Sequence, residues 1–159
     1  MSEFYKIAMK NYNNDETVIT AYGVALTETL NSFSTVAFNF NALGDNKVAE
    51  DLLGPRTLFT LENGQTFRLT TSNPTPNSRY RQYAITATHI GHDLNDYYIK
   101  DTINGQQSMQ ACLDFLTKNT PFKYQLDSQF DNHDFGDSSI GDGHGDDVLS
   151  AIAEAFACE

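Results

Sequence analysis

The chain of 159 residues has no tryptophan, only two cysteines and only four prolines. Cys112 and Cys158 have neither the number nor the spacing of a disulfide framework or a zinc site. We interpret Cys112, which lies in a helical pattern, as a small buried residue and Cys158 as a free thiol. Nucleotide-binding, zinc-protease and serine-hydrolase motifs are also missing, so the sequence predicts no cofactor and no enzyme.

Positive charge is scarce, with 10 basic against 21 acidic residues and a net charge of -11. Phosphate backbones and anionic lipids are bound by cationic side chains, so we predict neither a nucleic-acid nor a membrane partner. Apolar runs stay well short of the ~20 residues that span a bilayer. The start Met1-Ser2-Glu3 does not look like a signal peptide, and we expect a soluble protein made in the cytoplasm.

Hydrophobic and aromatic residues are present at 40% and 12%, which is typical of a folded globular chain. Strand patterns dominate as far as residue 99. Residues 4–9 and 17–22 alternate and are joined by a turn rich in Asn, which predicts a hairpin. Val36, Phe38 and Phe40 alternate with smaller residues, so they should share one face of a strand.

Residues 45–53 predict one short helix, with Asp45 as its N-cap. Asn63-Gly64 predicts a hairpin with a type I′ turn, because both positions of that turn need positive φ. Residues 72–78 are polar, contain two prolines and predict a loop. Residues 79–90 are rich in aromatic and β-branched side chains, which favours a long central strand.

Beyond residue 100 the apolar spacing becomes helical. An amphipathic helix is predicted over residues 105–118, with Asn104 and Gln107 as a capping box. Residues 122–126 alternate like a strand, and residues 146–156 predict a second amphipathic helix. The sequence therefore predicts an α+β protein with a β-rich domain at residues 1–102 and a small, incomplete α+β domain at residues 103–159.

The segment from residue 127 to 147 concentrates carboxylates, histidines and glycines. His133, Asp134, Asp142 and His144 are its candidate metal ligands, since calcium takes oxygen donors and zinc takes histidine with carboxylate. The order of residues does not match a calcium-binding loop, because the bidentate Glu and the Asp-x-Asp spacing are absent. We favour a solvated glycine-rich connection over a metal site.

His89, His92 and Asp93 suggest a general base oriented by a carboxylate. In an extended strand, residues 89 and 93 lie about 13 Å apart at ~3.3 Å per residue, too far for a hydrogen bond. We therefore interpret His89 as a structural residue at a strand end.

The order of these elements resembles the start of tail-associated hub proteins of phages that infect Gram-positive bacteria, often called prophage endopeptidase tail proteins. The residues that carry the resemblance are Phe38-Asn39-Phe40-Asn41, residues 50–57, Asn63-Gly64-Gln65, residues 83–94, Ala111-Cys112-Leu113-Asp114-Phe115-Leu116 with Thr120-Pro121-Phe122, and Asp147-Val148-Leu149-Ser150-Ala151-Ile152 with Ala155-Phe156.

The resemblance implies an antiparallel β-barrel followed by an α+β domain, in a trimer that closes the tail tube and adjoins a ring of distal tail protein. The chain would then be a virion tail component. It stops well before the second barrel and any hydrolase region of such hubs, so the endopeptidase name does not carry over. Tyr80, Tyr83, Tyr97 and Tyr98 are of a type enriched at interfaces, although packing is the commoner role of a strand tyrosine.

Two other functions stay open at this point. One is a module that binds cell-wall carbohydrate, suggested by the aromatic strands, although such modules often use tryptophan. The other is a metal-dependent cell-wall hydrolase that uses residues 127–147. Oligomeric state, glycan binding and metal content would separate the three.

Overall fold

A computed structural model describes residues 3–28, 32–126 and 134–157. The chain divides into two compact units, Met1–Ile90 and Gly91–Glu159, which we call the barrel unit and the second unit. The division predicted after residue 102 falls inside a strand of the second unit. The regular elements are β1 (Phe4–Lys10), β2 (Glu16–Thr27), β3 (Thr35–Asn41), α1 (Lys47–Leu52), β4 (Leu58–Thr60), β5 (Thr66–Pro76), β6 (Arg81–His89), β7 (Tyr98–Ser108), α2 (Met109–Thr117), β8 (Asp134–His144) and α3 (Gly145–Ala157), with 3-10 helices at Gly44–Asn46 and Ile90–Asp96.

The barrel unit is a closed, antiparallel six-stranded barrel in the order β1-β2-β3-β6-β5-β4. The predicted alternation is confirmed, because Val36, Phe38 and Phe40 are all buried inside it. Phe38 packs edge-on against Phe59, with ring centroids 5.1 Å apart. The predicted first hairpin and the central strand are also present, as β1–β2 and β6. The α+β class predicted from the sequence is confirmed.

The short helix α1 is present, but its predicted cap is wrong. Asp45 lies in the preceding 3-10 helix, and the N-cap is Asn46, whose side chain makes no capping bond. The Asn46 carboxamide instead accepts a hydrogen bond from the Thr20 backbone N–H at 2.8 Å and donates one to the Thr20 oxygen at 3.0 Å. Pairing of β2 with β3 reaches only Tyr22, so this carboxamide continues the hydrogen bonding of β2 beyond its last pair with β3.

The second predicted hairpin is present between β4 and β5, with a different turn. Gly64 has φ +83°, but neither Glu62 nor Asn63 has a positive φ, so the turn is not type I′. The Gly64 N–H donates to the Leu61 oxygen, and the Leu61 N–H donates to the Gln65 oxygen. This pattern belongs to a three-residue loop with a left-handed glycine in third place.

The predicted loop at residues 72–78 is wrong over most of its length, because β5 continues to Pro76. Pro74 pairs with Tyr83 and Pro76 with Arg81. The Asn77 N–H donates to the Tyr80 oxygen, so by alternation the nitrogens of both prolines point away from β6. The short β4 pairs with β5 only at residues 66–68. Proline is tolerated here because no strand pairs with that edge in the described chain.

In the second unit, the predicted start of the first helix is wrong by four residues. Residues 105–108 belong to β7, and α2 begins after Ser108, whose hydroxyl accepts a hydrogen bond from the Ala111 N–H at 3.2 Å. The Asn104 and Gln107 pair forms no capping box. The Gln107 side chain donates to the Asn104 carbonyl within the strand.

Residues 122–126 form no strand, contrary to the prediction. The Tyr124 hydroxyl donates to the Asp114 carboxylate of α2 at 2.7 Å. Burial, with that hydrogen bond as a further cause, raises the pKa of Tyr124 to about 12. This segment therefore packs along α2 instead of joining a sheet.

The strand that pairs with β7 in the second unit is β8, which lies inside the segment that we predicted to be a solvated connection. It pairs with β7 from Ser108↔Asp134 to Tyr98↔His144, and Ile140 is buried. A Cβ at Gly141 would overlap the Asp101 carbonyl oxygen, and Gly141 has φ +129°. The glycine that suggested a linker therefore permits close approach of two strands. Residues 127–133 lie outside the described residues.

The last helix, α3, confirms the prediction for residues 146–156. Val148 and Ile152 are buried on its inner face, and Asp146 and Asp147 occupy its first turn. Aspartates are favourable at that end because the helix dipole is positive there.

Candidate interaction surface

Apolar side chains are exposed mainly on the barrel unit. Of the eight large hydrophobic residues exposed in the described chain, seven belong to this unit. Phe4 and Val18 lie on the outer face of β1–β2 because their neighbours Ile7 and Ile19 point into the core. Phe4, 66% exposed, contacts Tyr22 edge-on at 6.4 Å. An outer barrel face with exposed aromatic residues is suited to contact with another protein.

A groove of about 730 Å³ lies on the barrel unit between two segments, residues 42–51 on one side and residues 76–83 on the other. Glu50 on α1 joins the two. Its Oε1 accepts hydrogen bonds from the Arg81 guanidinium at 3.0 Å and from the Tyr83 hydroxyl at 2.9 Å. Burial, and then the bond to Glu50, raise the pKa of Tyr83 above its ordinary value. These contacts fix α1 against β6.

The remaining charges of the groove are not paired in the same way. Lys47 and Arg79 line it and are exposed, and the structure gives neither a hydrogen bond nor an ion pair within the described chain. Leu43, 59% exposed, adds an apolar side chain to the rim. The groove therefore offers two cations and an apolar contact.

The candidate metal ligands of the second unit have other contacts where they are described. Asp142 Oδ1 accepts a hydrogen bond from the Tyr98 hydroxyl at 2.9 Å, which raises the pKa of Tyr98. His144 Nδ1 lies 3.0 Å from the Asn95 carbonyl oxygen. Asp134 begins β8, and His133 lies outside the described residues. Across the described chain, no three His, Cys, Asp or Glu residues form a group that could hold a metal ion.

Cys112 and His89, the other candidates for a chemical role, pack against other residues of the chain. Cys112 is fully buried in α2, and burial raises its thiol pKa to about 11. The His89 ring stacks with Phe33 at 6.4 Å and contacts Phe67 edge-on at 5.5 Å. The His89 ring therefore packs against aromatic side chains at the end of β6.

A smaller cleft of about 290 Å³ lies within the second unit. Its lining includes Tyr97, Tyr98, Phe115, Lys100 and Lys118. Of the four tyrosines considered for interfaces, Tyr98 is 52% exposed, whereas Tyr83 is 6% exposed and packs on Phe40.

Sequence reasoning missed the groove altogether. Lys47 and Arg79 are far apart in sequence and lie in no motif, so only the tertiary structure brings them to one place. The scarcity of basic residues was the one feature of the sequence that could have drawn attention to Lys47 and Arg79.

Taken together, a closed six-stranded barrel and a separate α+β unit with a two-stranded sheet define the fold class. The chain matches no known protein-family profile and no curated protein sequence. No helix in the described chain is long and apolar enough to cross a bilayer.

Solved structures of two tail proteins share this fold. The chain is similar to prophage tail protein gp18 from Listeria monocytogenes, with 15% identity, a TM-score of 0.71 and coverage of 95% of this chain and 46% of that one. It is also similar to a tail protein from Neisseria meningitidis, with 12% identity, a TM-score of 0.59 and coverage of 94% and 45%. The chain thus spans about half the length of these proteins. The resemblance drawn from the sequence is confirmed at the level of the fold.

Proposed function

We propose that the chain is a structural component of a phage or prophage tail and not an enzyme. Within the tail, we assign it to the tip or baseplate hub, where copies form a ring, with three as the expected number, that caps the tail tube. The observation that carries the proposal is the fold shared with two tail proteins over nearly the whole chain. Distal tail protein is the expected neighbour.

The outer surface of the barrel supports a role in assembly. Closure of a barrel removes most free strand edges, so contacts between barrels depend on side chains. Phe4, Tyr12 and Val18 are each more than half exposed, and burial against a neighbour would remove their apolar surface from water.

The residues with catalytic potential support a structural role as well. Glu50 accepts hydrogen bonds from Arg81 and Tyr83, and the Cys112 thiol is buried with a raised pKa. A nucleophilic cysteine needs a lowered pKa and access to solvent. These side chains therefore contribute to packing.

Immunogold labelling of intact tails tests the assignment. We expect antibodies against this chain to label the distal end of the tail tube, and cross-linked particles to contain the chain beside distal tail protein. Labelling along the tube or at the head-proximal end would contradict the hub assignment. Particles without the chain would contradict the tail role.

Binding of cell-wall carbohydrate is the second candidate function, favoured by the aromatic cleft of the second unit. Tyrosine rings next to lysines suit a glycan with acidic groups. Pull-down with purified cell walls checks this. Retention that is lost in Tyr98→Ala would favour glycan binding, and equal retention of both proteins would exclude this cleft.

A further inference from the structure

The negative charge of the chain is concentrated in one of its two units. The barrel unit has seven basic and eight acidic residues, a net charge of -1. The second unit has three basic and thirteen acidic residues, a net charge of -10. A local basic surface of one barrel unit can therefore attract the strongly acidic second unit of another copy.

The groove of the barrel unit is such a basic surface. Three of the ten basic residues of the chain, Lys47, Arg79 and Arg81, lie among its twelve lining residues. Arg81 is paired with Glu50, which leaves Lys47 and Arg79 as the cations available to a partner. Asp51 is the other acidic residue of the lining, so the local net charge is positive in a strongly acidic protein.

The matching acidic surface lies at the start of α3. Asp146 and Asp147 are adjacent there, and Asp147 is exposed. Asp146 Oδ1 accepts a hydrogen bond from the Asp147 backbone N–H at 3.0 Å, and the described chain gives no hydrogen bond or ion pair for the Asp147 carboxylate. The turn is anchored to the second unit, because it begins a helix whose Val148 and Ile152 are buried.

We propose that the groove of one copy binds the first turn of α3 from a second copy, so that Lys47 and Arg79 face Asp146 and Asp147 of the neighbour. The contact joins two different surfaces, so it is head-to-tail and can close into a ring. It rests on the proposed function, since it specifies how copies of a tail component associate.

A charge exchange between two variants of the full chain tests the contact by sedimentation velocity at low salt. One variant carries Lys47→Glu with Arg79→Glu, and the other carries Asp146→Lys with Asp147→Lys. We expect the wild type to self-associate and each variant alone to associate about tenfold more weakly or worse. An equal mixture should restore association, because each reversed surface then meets its complement.

Controls separate this contact from a general effect of charge. Lys118→Glu with Lys123→Glu changes the net charge equally but lies outside the groove, so it should associate like the wild type. Asp146→Asn with Asp147→Asn removes the charges while keeping side chains that suit a helix start, which covers the case in which the lysine variant does not fold. Circular dichroism verifies the fold of each protein.

Several outcomes would overturn the proposal: a wild type that stays monomeric at low salt, groove variants that associate like the wild type, or a mixture of folded variants that remains dissociated. A monomeric chain that still labels the tail tip would refute this contact and leave the proposed function standing. Charge-dependent association of a chain that never enters tails would support this contact and refute the proposed function.

Discussion

Replacing Asn46 tests how the barrel satisfies the backbone N–H and carbonyl of Thr20, which lie beyond the last pair of β2 with β3. In Asn46→Ala, both hydrogen bonds between the carboxamide and the Thr20 backbone are lost. In Asn46→Asp, the acceptor for the Thr20 N–H remains, but an oxygen replaces the nitrogen that faced the Thr20 carbonyl. Asn46→Ala therefore removes both the donor and the acceptor, whereas Asn46→Asp removes only the donor.

The expected magnitude follows from the two bonds, which are partly buried and 2.8 and 3.0 Å long. Each contributes about 0.5–1.5 kcal/mol net, so Asn46→Ala should lower the free energy of unfolding by about 1–3 kcal/mol. At neutral pH, Asn46→Asp should cost at least as much, because a carboxylate then faces a carbonyl oxygen.

Acidification should reduce the cost of Asn46→Asp. The protonated carboxyl can donate to the Thr20 oxygen, so its pKa in the folded state is raised above the ordinary aspartate value of about 3.9. A raised pKa gives stability that is present at low pH and lost as the pH rises through the folded value. The difference from wild type should therefore be smaller at pH 4 than at pH 7.

Urea unfolding followed by circular dichroism measures these differences, and hydrogen exchange of β2 amides localises them. Asn13→Asp is the matched control, since Asn13 is an exposed turn residue for which the described chain gives no side-chain hydrogen bond. A loss below about 0.5 kcal/mol in Asn46→Ala, or an equal deficit of Asn46→Asp at both pH values, would refute this account of Asn46.

Three further predictions concern packing. Gly141→Ala should destabilise the second unit by more than about 2 kcal/mol, because Gly141 has a positive φ and an added Cβ would meet a backbone oxygen of the facing strand. The control is Gly54→Ala, where the space is open, and it should change stability by no more than about 0.5 kcal/mol. Tyr83→Phe should lower stability by about 0.5–1.5 kcal/mol through loss of its hydroxyl bond, in the same urea assay. In a Cys158→Ser background, Cys112 should react with a thiol reagent only as fast as the protein opens, and rapid labelling of the native protein would contradict its burial. Because the pKa of Cys112 is raised in the folded protein, the stability from its neutral thiol should be complete below pH 9.0 and lost as the pH rises towards about 11.

The barrel was predictable where a local pattern agreed with the tertiary structure. Val36, Phe38 and Phe40 alternate because one face of β3 is the core. Asn63-Gly64 placed the second hairpin correctly, since a left-handed glycine is needed in either turn, but the pattern does not distinguish a two-residue loop from a three-residue loop.

The second unit was less predictable because its pairing is non-local. Residues 122–126 alternate like a strand but have no strand partner in the described chain, whereas the glycine-rich β8 pairs with β7. Glycine has no side chain to show alternation, so the pattern read as a linker. The Lys47 and Arg79 groove was not predictable at all, since its two sides come together only on folding.

The prolines of β5 determine which kind of neighbour that part of the wall accepts. With two amide hydrogens missing from the outward side, the main chain there cannot template a further strand from any passing polypeptide. Recognition on this side is left to side-chain shape and charge, which differ from one protein to another. This side of the barrel can therefore bind one protein selectively in the presence of many others, because unspecific strand pairing is prevented.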